Sequence, residues 1–219
     1  KKMPNASTSF FGWVAFLLQK YGMLFLRGTG MTLLIALTGT ALGFALGLLV
    51  AIIRTIALPE KKKAGSNAGV IVKRGLLRFV HMLMNVYIQV FRGTPMIVQA
   101  VVIYYGAQYA GVFMDTTFAA VFIISINTGA YMAEIIRGGI VSVDKGQFEA
   151  AHAIGMTHWQ TMTTVVLPQA IRNILPSVGN ELIVNIKDSS VLNVISVSEL
   201  FFQAKSAAGT YYRYFEVYF

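Results

Sequence analysis

The sequence predicts an all-α protein that crosses a membrane several times, a polytopic membrane protein. Hydrophobic residues make up 56% of its 219 residues and charged residues only 12%, whereas about 25% of the residues in soluble domains are charged. Three long segments, 28–53, 93–114 and 116–133, contain no charged residue. Because a spanning helix needs roughly 20 mostly apolar residues, each segment is long enough for one span.

Several classes of function are excluded by what the sequence lacks. It has no cysteine, so disulfides and thiolate chemistry are excluded. It has no GxxxxGK(S/T) phosphate loop, no HExxH zinc motif and no GxSxG nucleophile motif. The net charge of +9 does not indicate nucleic-acid binding, because the basic residues cluster between apolar segments. We therefore expect a chain that is not an enzyme, with no catalytic residue, no metal site, no cofactor and no nucleic-acid partner.

Residues 1–27 are predicted to form an N-terminal interfacial segment. The apolar stretch at 10–18 is too short to cross about 30 Å of hydrocarbon. Trp13 and Tyr21 suit the headgroup level, where aromatic rings concentrate. A signal-peptide core is the alternative, but 19–21 offers no small-residue cleavage site.

Residues 28–54 are predicted to form the first membrane span. Within it Gly39, Gly43 and Gly47 recur every four residues. Small residues at this spacing let another helix approach closely, although incidental membrane glycines explain the pattern equally well.

Residues 55–92 are predicted to be a basic cytoplasmic loop and the re-entry of the chain into the membrane. From Arg54 to Arg78 a single acidic residue, Glu60, stands among seven basic ones: Arg54, Lys61, Lys62, Lys63, Lys73, Arg74 and Arg78. By the positive-inside rule the loop is cytoplasmic, so the first span runs from outside to inside. Glycine and proline in its middle, at 59–69, predict a flexible connection.

The segment 93–114 is predicted to be the second span and 116–133 the third. Pro95 stands near the start of the second span, where a helix tolerates a proline. Asp115 is the charged residue between the two segments, and we expect it in a short outer turn.

One face of the third span is polar. Asn127, Tyr131 and Glu134 recur at i, i+4 and i+7, which places them on one side of a helix. A carboxylate at mid-bilayer costs about 3 kcal/mol on insertion scales. Glu134 is therefore expected either to face the protein interior or to pair with Arg137 near the cytoplasmic end.

Residues 144–168 predict two short helices joined by a glycine bend. Asp144 can cap the first helix, and Gly155 can take the left-handed conformation that ends it. Residues 157–160 have the spacing of a capping box for the second helix. Pro168 is expected to end that helix at the preceding residue. An ordinary helical hairpin between spans is the alternative to a docking element.

The sequence of this loop resembles the EAA loop of ATP-binding cassette (ABC) importer permeases. The matching residues, at the spacing of that loop, are Glu149, Ala150, Ala151, Gly155, Leu167 and Pro168, with Val165 where isoleucine is commoner. FRGTP at 91–95 with the VQ and IYYG that follow it, and NTGAYMAEIIRGGI at 127–140, resemble the polar amino acid branch of these permeases.

The resemblance implies a type I ABC importer permease fold, with 93–219 as the permease core and 144–168 as the loop that docks into a partner ATPase. The implied function is that of the transmembrane subunit of an ATP-driven importer in the bacterial cytoplasmic membrane, for a polar amino acid such as glutamine, glutamate or a basic amino acid. The resemblance also implies a natural chain longer than these residues, with a further helix after the aromatic C-terminal end.

The same resemblance implies several partners. They are two ATPase subunits that hold ATP and Mg, a second permease subunit identical or homologous to this one, and an external amino acid binding protein or a fused binding domain. A self-sufficient channel or ion-coupled carrier is the alternative function, and it would need no docking loop.

The substrate site is predicted on the segment that follows Pro168. Residues 169–193 are too polar for a simple span, and broken polar helices near the membrane midplane are where transporters hold substrates. If this segment is helical, Glu181, Asn185 and Asp188 share one face, with about 10 Å along the axis from the first to the last.

Two readings of this face are open. In one, the carboxylates pair with Arg172 and Lys187. In the other, at least one carboxylate binds the α-ammonium of a substrate, with Lys187 or amides near Ser189 available for its α-carboxylate. Other substrate contacts are predicted from the second and third spans: Thr94, Gln99, Asn127 and Tyr131.

Overall fold

The protein is all-helical over the residues that the computed structural model describes, which are 4, 8–56, 58 and 68–219. We number the α-helices in chain order: α1 Phe10–Thr55, α2 Ala68–Gly93, α3 Met96–Tyr109, α4 Thr116–Val141, α5 Lys145–Ala153, α6 His158–Gln160, α7 Leu167–Asp188, α8 Leu200–Tyr211 and α9 Tyr214–Tyr218. A π-helical turn, Thr161–Val166, precedes α7, and a 3-10 helix, Ser189–Ile195, follows it. The predicted all-α class is confirmed.

Helix α1 is continuous over 46 residues and is capped by the Ser9 hydroxyl, which accepts a hydrogen bond from the Gly12 N–H. At 1.5 Å per residue it is about 69 Å long. The predicted boundary between 1–27 and 28–54 thus falls inside one helix, because no proline interrupts the backbone there. That residues 10–27 lie in the membrane interface stays a prediction.

Among the described residues, two single helices are long enough to span a membrane. By length and composition, α1 and α4 can each cross a bilayer, and α2 with α3 would make a third crossing if the bent pair is one broken span. Helix α4 extends to Val141, eight residues beyond the predicted third span, which ended at Ala133.

The segment 93–114 is not one spanning helix, which corrects the prediction of a second span there. Helix α3 has only 14 residues, about 21 Å, and the chain bends by 113° between α2 and α3. The bend lies at Pro95, which has no backbone N–H and disfavours helical geometry at Thr94.

The basic segment is more helical than predicted. Because α2 begins at Ala68, Lys73, Arg74 and Arg78 lie on a helix and not in a loop. Apolar and basic residues recur along α2 at helical spacing, so the helix is amphipathic. Such a helix is stable when its apolar face is covered. The lysines at 61–63 and the predicted flexible middle, as far as residue 67, lie outside the described residues.

Helices α1 and α4 run parallel and pack closely along the predicted glycine stripe. Cβ atoms added at the three α1 glycines would lie only 2.4–2.6 Å from α4 side chains: Gly39 from Ile124, Gly43 from Thr128, and Gly47 from Met132. Such distances leave no room for a side chain. The prediction of a close helix contact at these glycines is confirmed.

The predicted end of the second loop helix at Leu167 is wrong. The chain stays helical from α6 through the π turn into α7, and Pro168 lies in the first turn of α7. The Leu167 N–H bonds to the Met162 carbonyl, five residues back. This wider turn accommodates the proline, whose ring and missing N–H would otherwise break the helix.

Helix α7 is also less broken than predicted for 169–193. It runs to Asp188 with Pro176 inside it, and only at Ser189 does the chain tighten into a 3-10 helix. Glu181, Asn185 and Asp188 therefore lie on one helix face, as the i, i+4, i+7 spacing predicts.

Candidate functional site

The loop at 144–168 has the helix, bend and helix that the sequence predicts. Asp144 Oδ1 accepts from the Gly146 N–H at 2.6 Å and caps α5. Gly155 has φ +82°, and the Met156 N–H bonds back to the Ala151 carbonyl at 3.0 Å, a Schellman-type helix end. The positive φ explains why glycine stands at this bend.

The capping box of the second helix is also present. The Gln160 N–H donates to Thr157 Oγ1 at 3.3 Å, and the Thr157 N–H donates to Gln160 Oε1 at 2.8 Å. Both ends of the bend are thus fixed by local hydrogen bonds, so the loop is a preformed unit and not a slack connection.

The predicted coupling residues divide between the surface of the loop and its interior. Glu149, Ala150, Gly155 and Pro168 are exposed, Leu167 is half-buried and Ala151 is buried. Two large apolar side chains that the sequence reasoning missed stand at the tip: Ile154 is 79% exposed and Trp159 75% exposed. Large exposed apolar side chains beside a polar loop are typical of a protein–protein contact.

On α7, Asn185 is only 1% exposed, and its side chain is bonded within the helical bundle. Its Nδ2 donates to Thr40 Oγ1 on α1 at 2.8 Å and to Thr128 Oγ1 on α4 at 2.9 Å. We refer to Asn185, Thr40 and Thr128 as the polar clasp. Because a buried polar group costs free energy when its partner is lost, the clasp fixes α7 against α1 and α4.

Glu181, one turn before Asn185, is different. It is 7% exposed, and neither it nor Asp188 belongs to any of the ion pairs among the described residues, which are Arg54–Glu134, Arg137–Glu134 and Arg213–Glu216. The pairing with Arg172 and Lys187 that the sequence left open is not formed. Glu181 instead interacts electrostatically with Asp188 and with Arg92.

Arg92, in the last turn of α2, is a candidate that the sequence reasoning missed. Its guanidinium carbon lies 5.3 Å from the centroid of the Tyr131 ring on α4, a cation–π distance. Arg92 on α2 thus contacts Tyr131 on α4 and interacts electrostatically with Glu181 on α7, and we refer to these three residues with Asp188 as the charged site. The signal in the sequence that could have identified Arg92 was its position as a lone arginine at the edge of a long uncharged segment.

Three other predicted contact residues form one network at the α2–α3 bend. Gln99 Nε2 donates to Thr94 Oγ1 at 2.9 Å and to the Phe91 carbonyl at 2.9 Å. Asn127 Nδ2 donates to Gln99 Oε1 at 3.0 Å. Gln99 and Asn127 are buried, so the network holds the end of α2, and with it Arg92, against α4.

Lys187 and Ser189 point to a different space from Glu181. Both line a cavity of about 470 Å³ whose other lining residues include Thr32 on α1 and Glu199 before α8, and neither Glu181 nor Asp188 lines it. The Ser189 hydroxyl donates to the Ile186 carbonyl at 2.8 Å. Lys187 nevertheless remains within electrostatic range of Asp188.

Glu134 pairs with Arg137, one of the two predicted arrangements, and also with Arg54. The Glu134 carboxylate accepts from Arg137 Nε at 2.9 Å and from an Arg54 terminal nitrogen at 2.5 Å. The C-terminal ends of α1 and α4 are thereby joined. Among the described residues, no group of three or more histidine, aspartate or glutamate side chains is gathered for a metal ion.

Comparison with known proteins identifies the family. Residues 65–214 match the family model described as binding-protein-dependent transport system inner membrane component. The chain is 38% identical to the glutamine transport system permease protein GlnP of Escherichia coli K12, over 89% of this chain and 81% of that protein. It is 37% identical to the probable amino-acid ABC transporter permease protein YckA of Bacillus subtilis, over 88% of this chain and 77% of that protein.

Solved structures agree with this assignment. A crystal structure of an amino acid ABC transporter with histidines superposes with a TM-score of 0.80 at 37% identity, covering 97% of this chain and 88% of that one. The MetNI methionine ABC transporter, in an inward-facing conformation, superposes with a TM-score of 0.63 at 22% identity, covering 89% of this chain and 82% of that one; at that identity the likeness concerns the fold alone. These likenesses confirm the fold of ABC importer permeases.

The role of the chain follows from the same relatives. They are named as transport permease proteins, which supports a transport role, and ABC importer permeases work in general with ATPase and binding-protein partners. The chain therefore belongs to the family of binding-protein-dependent transport system inner membrane components, and it is a permease subunit of an ABC importer for amino acids.

Proposed function

We propose that the protein lines the translocation pathway of an ATP-driven importer for a polar amino acid in the bacterial cytoplasmic membrane. Relatives named for glutamine transport and a structural neighbour whose title names histidines support polar substrates, such as glutamine, glutamate or a basic amino acid. The observation that carries the proposal is the charged site. There Glu181 and Arg92 interact electrostatically without forming an ion pair.

The charged site fits the two ends of a zwitterion. Glu181, with Asp188 two turns further along α7, binds the α-ammonium group, because a carboxylate shielded from water favours a cation. Arg92 binds the α-carboxylate, since the planar guanidinium donates two parallel hydrogen bonds to it. Tyr131 holds the guanidinium in place through its ring.

The remaining predicted site residues have supporting roles in this proposal. Lys187 is a second candidate for the α-carboxylate, because its charge is in range of Asp188, and Ser189 lies beside it. Thr94, Gln99 and Asn127 position Arg92 through the network at the bend. Asn185 positions Glu181 by fixing α7.

Coupling to ATP hydrolysis is assigned to the loop at 144–168. We infer that the exposed tip, with Ile154 and Trp159, and the exposed Glu149 and Ala150 of α5 dock into an ATPase subunit that holds ATP and Mg. Two ATPases, a second permease subunit identical or homologous to this one, and an external binding protein or a fused binding domain complete the complex. Symmetric pairing of this kind is the commonest arrangement of oligomers.

The transport mechanism is tested by reconstitution. Proteoliposomes that contain the permease, its ATPase and its binding protein are expected to accumulate radiolabelled glutamine, histidine or arginine only when ATP is present. Accumulation on an ion gradient alone, with the ATPase omitted, would instead identify an ion-coupled carrier and contradict the proposal.

Docking is tested separately at Trp159. Replacing it with alanine removes a large exposed contact, and hot-spot residues of this type cost about 2 kcal/mol or more, roughly 30-fold in affinity. Pull-down of the ATPase by the Trp159→Ala permease measures the loss. Phe113→Ala is the matched control, because Phe113 is 83% exposed and lies in the predicted outer turn. Equal ATPase binding by the two variants would exclude Trp159 from the contact.

A further inference from the structure

A second cavity lies at the C-terminal ends of α1 and α4, and none of its lining residues belongs to the charged site. It has a volume of about 160 Å³ and is lined by Ala51, Arg54, Thr55, Arg137, Ile140 and Val141. Arg54 and Arg137 are therefore its charged lining residues. The carboxylate to which they bind, Glu134, does not line it.

The two arginines keep hydrogen-bond donors for a ligand. Glu134 takes one terminal nitrogen of Arg54, and Nε and one terminal nitrogen of Arg137. Each guanidinium carries five N–H groups, so both have N–H groups left. Two arginines and one glutamate leave a local formal charge of +1 (2 − 1 = +1). The cavity thus suits an anion, and paired guanidinium forks suit a phosphate in particular.

The position of the cavity relative to the membrane indicates which kind of phosphate can bind there. Arg54 directly follows the uncharged segment 28–53, so it marks the level at which α1 leaves the hydrocarbon. Helices α1 and α4 are parallel along their glycine contacts, which places Arg137 at the same level. Beside the arginines, Ile52 and Val141 are 54% and 70% exposed. A cationic cavity with an apolar border at the membrane surface matches a phospholipid, which has a phosphate above and acyl chains below.

We propose that this cavity binds the phosphate of an anionic phospholipid in the cytoplasmic leaflet. The basic segment that follows α1 places these helix ends on the cytoplasmic side, where anionic lipids attract basic residues and basic pockets between helices bind their headgroups. A bound lipid would tie the ends of α1 and α4 together beside the Glu134 bridge. None of the residues that line the cavity belongs to the loop at 144–168.

The test is lipid binding by the full chain in detergent, delipidated and titrated with dioctanoyl phosphatidylglycerol while native mass spectrometry counts bound lipid. Arg137→Gln is expected to weaken binding about fivefold, the loss expected for one basic residue near an anionic surface. Val141→Trp, which adds bulk to a residue that lines the cavity without changing charge, is expected to weaken binding as well. Arg172→Gln is the control, because Arg172 is exposed on α7 and does not line the cavity.

Four results would overturn the proposal. Equal weakening by Arg137→Gln and Arg172→Gln would show only general surface charge. Equal binding of dioctanoyl phosphatidylcholine would show an apolar contact without charge recognition. Displacement of the lipid by inorganic phosphate at the same concentration would identify a free anion as the ligand. Retention of wild-type binding in Val141→Trp would likewise place the lipid elsewhere.

Discussion

Two polar residues on one face of α7, Asn185 and Glu181, lie a single turn apart but differ in whether their side chains have a direct partner. Asn185 in the polar clasp is bonded to hydroxyls on α1 and α4, whereas Glu181 in the charged site has no ion-pair partner among the described residues. A buried polar group that is fully bonded stabilises a packing arrangement. A buried charge left without a direct partner marks a place where a ligand completes the arrangement.

The largest expected effect comes from removing charge at the charged site. Glu181→Gln and Asp188→Asn keep the shape of the side chain but lose the attraction for an ammonium group, so uptake efficiency should fall by about 10- to 100-fold. Expression and basal ATPase activity should stay near wild type. Initial rates of ATP-driven uptake across substrate concentrations measure the effect, and unchanged kinetics in both variants would move the substrate site elsewhere.

The polar clasp should respond in stability and not in specificity. Asn185→Leu leaves the Thr40 and Thr128 hydroxyls buried without a partner, which should cost about 1–3 kcal/mol. A lower unfolding temperature of the detergent-purified protein is the readout. Asn180→Leu on the same helix is the control, because Asn180 is exposed. A clasp variant as stable as this control would remove the distinction between the two groups.

The loop bend is expected to affect coupling alone. At Gly155, with φ +82°, valine is strained by about 1–2 kcal/mol. Gly155→Val should therefore change the orientation of the loop tip and reduce stimulation of the ATPase. Gly155→Asn should retain more coupling, since asparagine tolerates this conformation. The two variants are compared by measuring how strongly substrate and binding protein stimulate ATPase activity. Wild-type stimulation in Gly155→Val would argue against docking through this loop.

The smallest expected effect is an acid-dependent one at the cap of α4. The Phe118 and Thr117 N–H groups donate to the Asp115 carboxylate and lower its pKa below the ordinary value of 3.8. A depressed pKa stabilises the fold above the unfolded value, and this contribution disappears as pH falls through the folded value. The stability difference between wild type and Asp115→Asn, measured by thermal unfolding, should therefore begin to shrink near pH 3.8 and disappear only below the lower folded-state pKa. A difference that persists there would mean that the charge of Asp115 does not stabilise the cap.

Local signals in the sequence predicted local structure well. The Asp144 cap, the left-handed Gly155, the capping box at 157–160 and the glycine stripe of α1 each depend on a few neighbouring residues, and each is present. The prediction at Pro168 failed because a π turn, which no short pattern encodes, let the helix continue.

The candidate site depended on longer-range information. Spacing placed Glu181, Asn185 and Asp188 on one face, but it could not tell the bonded residue from the unbonded one. That distinction depends on Thr40, 145 residues away, and on Thr128, 57 residues away. Arg92 was missed for the same reason, since its contact with the Tyr131 ring depends on the packing of α2 on α4.

The central claim, that Arg92 and Glu181 bind opposite ends of a zwitterion, is tested most directly by competition with blocked substrates. ATP-driven glutamine uptake is measured against glutamine amide, whose α-carboxylate is blocked, and N-acetylglutamine, whose α-ammonium is blocked. In the wild type neither analogue should compete. Arg92→Gln should lose its discrimination against the amide alone, and Glu181→Gln its discrimination against the acetylated analogue alone. Unchanged discrimination in both variants would contradict the account.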